Sequence, residues 1–331
     1  MPVPKEILYL TEADVQKTIS YAEAVDLAEK GIKADATGKV NGDKYYMNVG
    51  EDSFIKPFSG YIDGESLAFV KTFSYFPINP KKFNRPTTSS MVILLDAETG
   101  LPACFMEAGY ITGLKTAAST TVTTAYLAQP ESEVVTICGA GTLGRLHLLA
   151  LAERFELKKA YFVDINPDVA ESCAAELEPI LGFSVKAVPI DERESAIRES
   201  DIIFTVTTGS QELVKQEWVN KGQFIARLGS YQEVSLDVIL EANKVIVDSW
   251  KYVSPRIPEI IQLKEEGRFD YKDVYAEWPD IVGGRTPGRE TADEVIVYIA
   301  LGIWGEYAAI LPEVYRKAKE KGLGLDLPCS H

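Results

Sequence analysis

The sequence predicts an α/β protein, a doubly wound parallel sheet joined to a smaller α+β domain built from both chain ends. Three observations predict it. A run of strand, glycine turn, helix, strand and acid lies in the middle of the chain. Strands and helices alternate after it. Strand-like runs separated by turns dominate the stretch before it. The expected boundaries are residues 1–120 with 295–331 for the smaller domain and 121–294 for the nucleotide domain.

The central run is the most specific. Val134-Val135-Thr136-Ile137 reads as a buried strand and Arg145–Arg154 as a helix, with Gly139-Ala140-Gly141-Thr142-Leu143-Gly144 between them. A second strand, Lys159–Val163, ends on Asp164, twenty residues beyond Gly144. This is the Rossmann dinucleotide pattern. Gly139 permits the tight turn, Gly141 lets a pyrophosphate reach the backbone, and Gly144 lets the helix pack close. The helix N-terminus offers N–H groups and a positive dipole end to phosphates. Asp164 would accept hydrogen bonds from ribose hydroxyls and repel a 2′-phosphate, which favours NAD(H) over NADP(H).

Towards the N-terminus, Leu8-Tyr-Leu reads as a strand and Thr11-Glu-Ala-Asp14 as a capped helix start. A helix is expected over Tyr21–Thr37, stopped by Gly38. Strands follow at Tyr45–Val49, Ser53–Pro57, Leu67–Phe73, Ser90–Asp96 and Leu101–Glu107. A helix over Thr112–Leu127 feeds the nucleotide domain. Beyond the motif, strands are expected near 184–188, 201–206, 223–228 and 244–248, with helices at Pro167–Leu181 and Arg193–Glu199. The apolar run Val295–Ala309 and an amphipathic helix to Lys321 read as the chain returning to the first domain.

Composition narrows the function. The 331 residues carry a net charge of −15, which argues against a nucleic-acid surface. No apolar run reaches the roughly eighteen residues of a membrane helix, so no membrane association is expected. Met1-Pro-Val-Pro-Lys-Glu lacks a signal-peptide core. The four cysteines (Cys104, Cys138, Cys173, Cys329) form no CxxC and suit a reduced, cytoplasmic setting. With only His147 and His331 as histidines, no metal site is expected, and acid–base chemistry falls to Lys, Asp, Glu or Tyr. His147 reads as a packing or surface residue.

Five further segments stand in order around the glycine motif. They are Leu8-Tyr-Leu-Thr-Glu-Ala-Asp-Val15; Val70-Lys71-Thr72 with Pro77-Ile-Asn79-Pro80; Leu95-Asp96-Ala-Glu-Thr99-Gly100-Leu-Pro102; Ile111-Thr112-Gly-Leu-Lys115-Thr116-Ala117-Ala118; and Gly288-Arg289-Glu-Thr-Ala-Asp293-Glu294. Together they resemble the ornithine cyclodeaminase/mu-crystallin family over nearly the whole chain. The resemblance implies a homodimer, NAD(P)(H) in the Rossmann half, and an amino-acid, imino-acid or 2-oxo-acid substrate against the first domain.

It also marks residues. Lys71 matches the family lysine and would hold the substrate carboxylate or pass a proton to its nitrogen. Without the resemblance it reads as a snorkelling lysine at a strand end. Lys115 stands where the family usually has an arginine for the carboxylate, and Lys44 lies near a second such arginine. A lysine replaces a planar two-pronged grip with a point charge. Arg85 is a further candidate cation or a solvated loop residue. Thr116 touches the cofactor or simply packs its helix. Thr205-Val206-Thr207 and Leu228-Gly229-Ser230 follow strands at the edge that faces a bound dinucleotide, and Gly302 resembles a family glycine that makes room for the nicotinamide.

One departure is sharper. Ornithine cyclodeaminases carry an aspartate where Tyr231 stands, with Glu233 and Asp237 close but out of register. The leading expectation is therefore an NAD-dependent amino-acid dehydrogenase or imine reductase. The alternatives are an ornithine/lysine-type cyclodeaminase with bound recycling NAD and a non-catalytic binding protein of the mu-crystallin type.

Overall fold

The computed structural model describes residues 6–50, 52–209 and 211–329; Met1–Lys5 and His331, read above, lie outside them. The strands are β1 (Glu6–Leu10), β2 (Val40–Lys44), β3 (Met47–Gly50), β4 (Ser53–Ile62), β5 (Leu67–Tyr75), β6 (Thr88–Asp96), β7 (Pro102–Glu107), β8 (Val134–Cys138), β9 (Lys159–Asp164), β10 (Ser184–Pro189), β11 (Ile202–Thr205), β12 (Phe224–Arg227), β13 (Lys244–Val247), β14 (Ala276–Glu277), β15 (Ile296–Ile299) and β16 (Leu325–Pro328). The chain divides into two compact units, Met1–Lys115 with Trp304–His331, and Thr116–Ile303.

In the first unit the sheet order is β16-β1-β7-β6-β5-β4-β2, with β3 also on β4. Every pair is antiparallel except β1 with β7. Two capping boxes start its first helices. Thr11 and Asp14 cap Glu12–Val15, and Ser20 and Glu23 cap Tyr21–Ala36. The strand expected at Tyr45–Val49 forms from Met47 onward as β3, and a strand not expected from sequence, β2, precedes it along β4.

In the second unit all eight strands are parallel, in the order β10-β9-β8-β11-β12-β15-β13-β14. The chain builds outward from β8 to β10, then reverses and builds from β11 the other way, which is the doubly wound arrangement. Strands buried on both faces explain the continuous apolar runs: β11, β12, β13 and β15 are buried throughout.

The C-terminal return begins later than expected. Ile296–Ile299 does not leave the nucleotide unit; it is β15, seated between β12 and β13. The boundaries are accordingly 115/116 and 303/304 rather than 120/121 and 294/295. A short apolar run is ambiguous between strand and buried helix, and its flanks gave no punctuation until Gly302 at φ +81°.

His147 is a packing residue. It is fully buried, with Nδ1 2.7 Å from the Leu143 carbonyl and Nε2 3.2 Å from Thr120 Oγ1. Burial pushes its pKa down to about 4, from 6.5. Below 6.5 the unfolded chain takes up a proton that the folded chain refuses until about pH 4. Stability is therefore lost as pH falls through that window, by up to about 3 kcal/mol. Urea midpoints taken from pH 7 to pH 4 should fall, and His147→Gln should flatten the decline.

Candidate active site

The glycine turn is built as its sequence requires. Gly139 has φ +112°, a left-handed value that disfavours any side chain. A Cβ on Gly144 would lie 1.9 Å from the Gly139 carbonyl oxygen, so the helix can approach only as glycine. The turn is tied to both neighbouring strands: Gly139 N–H donates to Val163 O at 2.8 Å, and Val206 N–H donates to Cys138 O at 2.9 Å. Gly141 caps the helix Thr142–Leu151, and a Cβ there would meet nothing within 4 Å.

That open side is a cavity of about 560 Å³, whose lining includes Gly139, Gly141, Thr142, Leu143, Asp164, Val206 and Thr207. It lies at the carboxyl ends of β8, β9 and β11, where the strand order reverses. Bare backbone on one wall and a fixed acid on another fit a dinucleotide. Asp164 is oriented by its own chain: Oδ2 accepts from Ala140 N–H and Oδ1 from Asn166 N–H, both at 2.9 Å.

Other expected cofactor residues are placed differently. Thr205 is fully buried outside the cavity lining, and its hydroxyl donates to Glu233 Oε2 at 2.7 Å. Thr207 reaches the cavity, yet both its N–H (2.8 Å) and its hydroxyl (2.9 Å) donate to Glu233 Oε1. Gly229 N–H donates to Glu233 Oε2 at 2.8 Å, and a Cβ on Gly229 would strike that carboxylate at 2.3 Å. Leu228, Gly229, Ser230, Thr116 and Gly302 are not in the lining of this cavity.

Glu233 is thus a fully buried clamp joining the loops after β11 and β12. Behind it, Glu259 Oε1 accepts from Glu233 N–H at 2.9 Å and pairs with Arg227, both side chains being 0 % exposed. In the sequence Glu233 stands only as a displaced acid, and no local signal marks Arg227 or Glu259.

The first unit holds the lysines. Lys71 is 1 % exposed, donates to Ser90 Oγ at 3.2 Å, and lies 4.9 Å from the Phe58 ring centre and 5.2 Å from that of Tyr307. Burial, with lesser contributions from Lys56 and Lys115, holds its pKa well below the ordinary lysine range. The snorkelling alternative does not describe this side chain. Lys115 is also buried; its Nζ lies 3.6 Å from Glu306 Oε1 and 4.9 Å from the same Tyr307 ring centre. Lys71 and Lys115 are therefore brought together by one ring. Lys44 is half-buried on β2, and Arg85 is exposed on the loop before β6.

The site elements can be set beside known proteins. The model of the ornithine cyclodeaminase/mu-crystallin family matches residues 5–322. The chain belongs to that family. Among members of the ornithine cyclodeaminase/mu-crystallin family, the Delta(1)-pyrroline-2-carboxylate reductase of Thermococcus litoralis, solved with NADH and L-proline, superimposes with a TM-score of 0.91. It is 31% identical, over 97% of this chain and 100% of that one. An archaeal alanine dehydrogenase dimer with bound NAD gives 0.89, at 29% identity over 97% and 99%. The N-((2S)-2-amino-2-carboxyethyl)-L-glutamate dehydrogenase of Staphylococcus aureus is 28% identical over 98% of both chains.

Proposed function

We propose that this chain is an NAD(H)-dependent oxidoreductase that interconverts a small amino acid and its imine or 2-oxo acid. The observation that carries the reading is the buried Lys71–Lys115 pair on the Tyr307 ring, in a chain that also builds a complete glycine cradle ending in Asp164. Relatives named as reductase and dehydrogenase, solved with NADH or NAD, support it.

The nicotinamide supplies the hydride when bound. The chain supplies charge and proton control. Lys115 receives the substrate carboxylate, its own charge already part-balanced by Glu306. Lys71, held by Ser90 and kept from water, gives a proton to the substrate nitrogen during reduction and takes it back during oxidation. Tyr231 in place of the cyclodeaminase aspartate removes the acid that would assist ring closure.

The test is loss of NADH absorbance with a panel of 2-oxo acids, each with and without ammonia or a simple amine. Loss only with both partners supports the reading. NADH binding with no turnover of any pair would overturn it in favour of a carrier. Ammonia release from ornithine without added cofactor would restore the cyclodeaminase.

Cofactor choice rests on Asp164. Asp164→Ser removes a charged acceptor worth about 1.5–3 kcal/mol, so NADH efficiency should fall roughly ten- to hundredfold while NADPH efficiency rises. Paired kcat/KM values for the two cofactors check this.

The active form is a homodimer. The archaeal alanine dehydrogenase dimer supports this, as do the exposed apolar side chains Tyr45, Met47, Val49, Ile78 and Phe83 on the antiparallel unit. Light scattering should give twice the chain mass. Cys104, Cys138 and Cys173 are buried free thiols, which suits a reducing cytoplasm, and among the described residues no helix is long and apolar enough to cross a membrane.

A further inference from the structure

The cavity at the glycine turn has a buried carboxylate behind its wall. Thr207 lines that cavity, and its N–H and hydroxyl both donate to Glu233 Oε1. Oε2 accepts from the Thr205 hydroxyl and from Gly229 N–H. The main chain of the same residue holds the far end of the wall: Leu213, also in the lining, donates its N–H to Glu233 O at 2.7 Å. Glu233 therefore grips the cavity wall at Thr207 and at Leu213, and the loop after β12 as well.

Bridging two loops does not by itself require a charge, and burying an ionised carboxylate costs free energy. Glu233 is fully buried, accepts four side-chain hydrogen bonds, donates none from its side chain, and has no ion pair among the described residues. The nearby guanidinium groups are committed elsewhere, Arg227 to Glu259 and Arg193 to the carbonyls of Ile190, Glu212 and Leu213. A fixed negative charge, kept from water, thus stands against the cofactor cavity. In a doubly wound sheet a dinucleotide crosses the strand ends where the strand order reverses. With Asp164, at the end of β9, on the adenosine ribose, the nicotinamide half falls to the side of β11 and β12, the strands whose loops Glu233 joins. The oxidised and reduced cofactors differ in that half by one positive charge.

We propose that Glu233 selects the oxidation state of the cofactor, favouring NAD⁺ over NADH. The more tightly the protein holds the oxidised form, the further the bound equilibrium lies towards hydride donation, so the same charge sets the chain towards reduction of the imine. The proposal rests on the oxidoreductase reading only for that direction. Glu233 is a positioning residue that acts through Thr207, Gly229 and its own charge, not a catalytic one.

The test is calorimetric titration of the full-length protein with NAD⁺ and with NADH, in the parent and in Glu233→Gln, Glu233→Ala and Glu233→Asp. The two ligands differ only at the nicotinamide ring, so the ratio of their dissociation constants isolates its charge. Glutamine and alanine remove the carboxylate charge, alanine also leaving room for water on the four donors, while aspartate keeps the charge on a shorter arm. The ratio should shift about tenfold towards NADH in both uncharged variants and by less than about threefold in Glu233→Asp, even where the absolute affinities fall. Equal weakening of both ligands in all three variants overturns the proposal and leaves Glu233 a structural residue. An equal shift in Glu233→Asp overturns it too, since charge is then not the cause. NADH oxidation with 2-oxo acids and amines separates the two readings. The ratio shift without any oxidation refutes the redox function and leaves the selection of NAD⁺ standing. Oxidation with an unchanged ratio refutes the selection alone.

Discussion

Lys71→Met is expected to lower kcat by about 10²–10⁴ while raising Tm, with NADH affinity retained. The two effects share one cause. Lys71 is 1 % exposed among Phe58, Phe73 and Tyr307, so its ammonium form is penalised in the folded chain. Between its lowered pKa and the ordinary 10.5, the unfolded chain binds a proton that the folded chain does not. The unfolded state is the one favoured by protons there, so stability rises with pH across that window. Methionine removes the penalty and the slope together. The same shift sets the activity profile. Reduction needs the protonated lysine and should fall as pH rises through an inflection well below 10.5; oxidation should rise through it. Lys56 contributes to lowering that pKa, so Lys56→Gln should move the inflection to higher pH. Thermal melts and pH–rate profiles check both halves. A variant that loses activity and stability together would refute the assignment, because it would make Lys71 a structural residue.

Local signals made much of this legible from sequence. Positive-φ and close-packing glycines announce themselves, as at Gly139 and Gly144, and strands buried on both faces read as continuous apolar runs. The matched helix Pro167–Leu181 has a proline start and a glycine stop. What stayed hidden depends on register or on distant partners. Lys56 sits in an ordinary Ile-Lys-Pro stretch; only the pairing of β4 with β5 puts it on the face of Lys71. Glu306 matters because it folds against Lys115, far away in sequence. Thr205 and Thr207 were at the expected edge of the sheet, but their hydroxyls turn to Glu233, a partner 28 and 26 residues onward. β15 is hidden because its four residues lie inside a longer apolar run.

The charged pair beneath the β12 loop leads to the second large effect. Arg227→Met should destabilise the protein by about 3–5 kcal/mol, and adding Glu259→Gln should recover most of that loss. Arg227 is a charge inside a strand buried throughout, tolerated because Nε and Nη2 meet Glu259 at 3.2 and 3.0 Å and its remaining donors reach the Gly229 and Tyr231 carbonyls. Removing it leaves Glu259 as an uncompensated buried carboxylate. Glutamine at 259 is neutral, so it carries no such cost, and its amide oxygen still accepts from Glu233 N–H, which the carboxylate now holds at 2.9 Å. Urea midpoints at constant m-value measure the cycle. The pair also orders the loop after β12, which we propose faces the cofactor. Arg227 fixes the carbonyls of Gly229 and Tyr231 from below, while Glu233 fixes the Gly229 and Thr207 amides from above. The double variant should therefore regain stability without regaining full kcat, since the two carbonyls lose the guanidinium that donates to them. If stability and kcat recover together, the pair serves the fold alone and the loop after β12 is held by Glu233 without it.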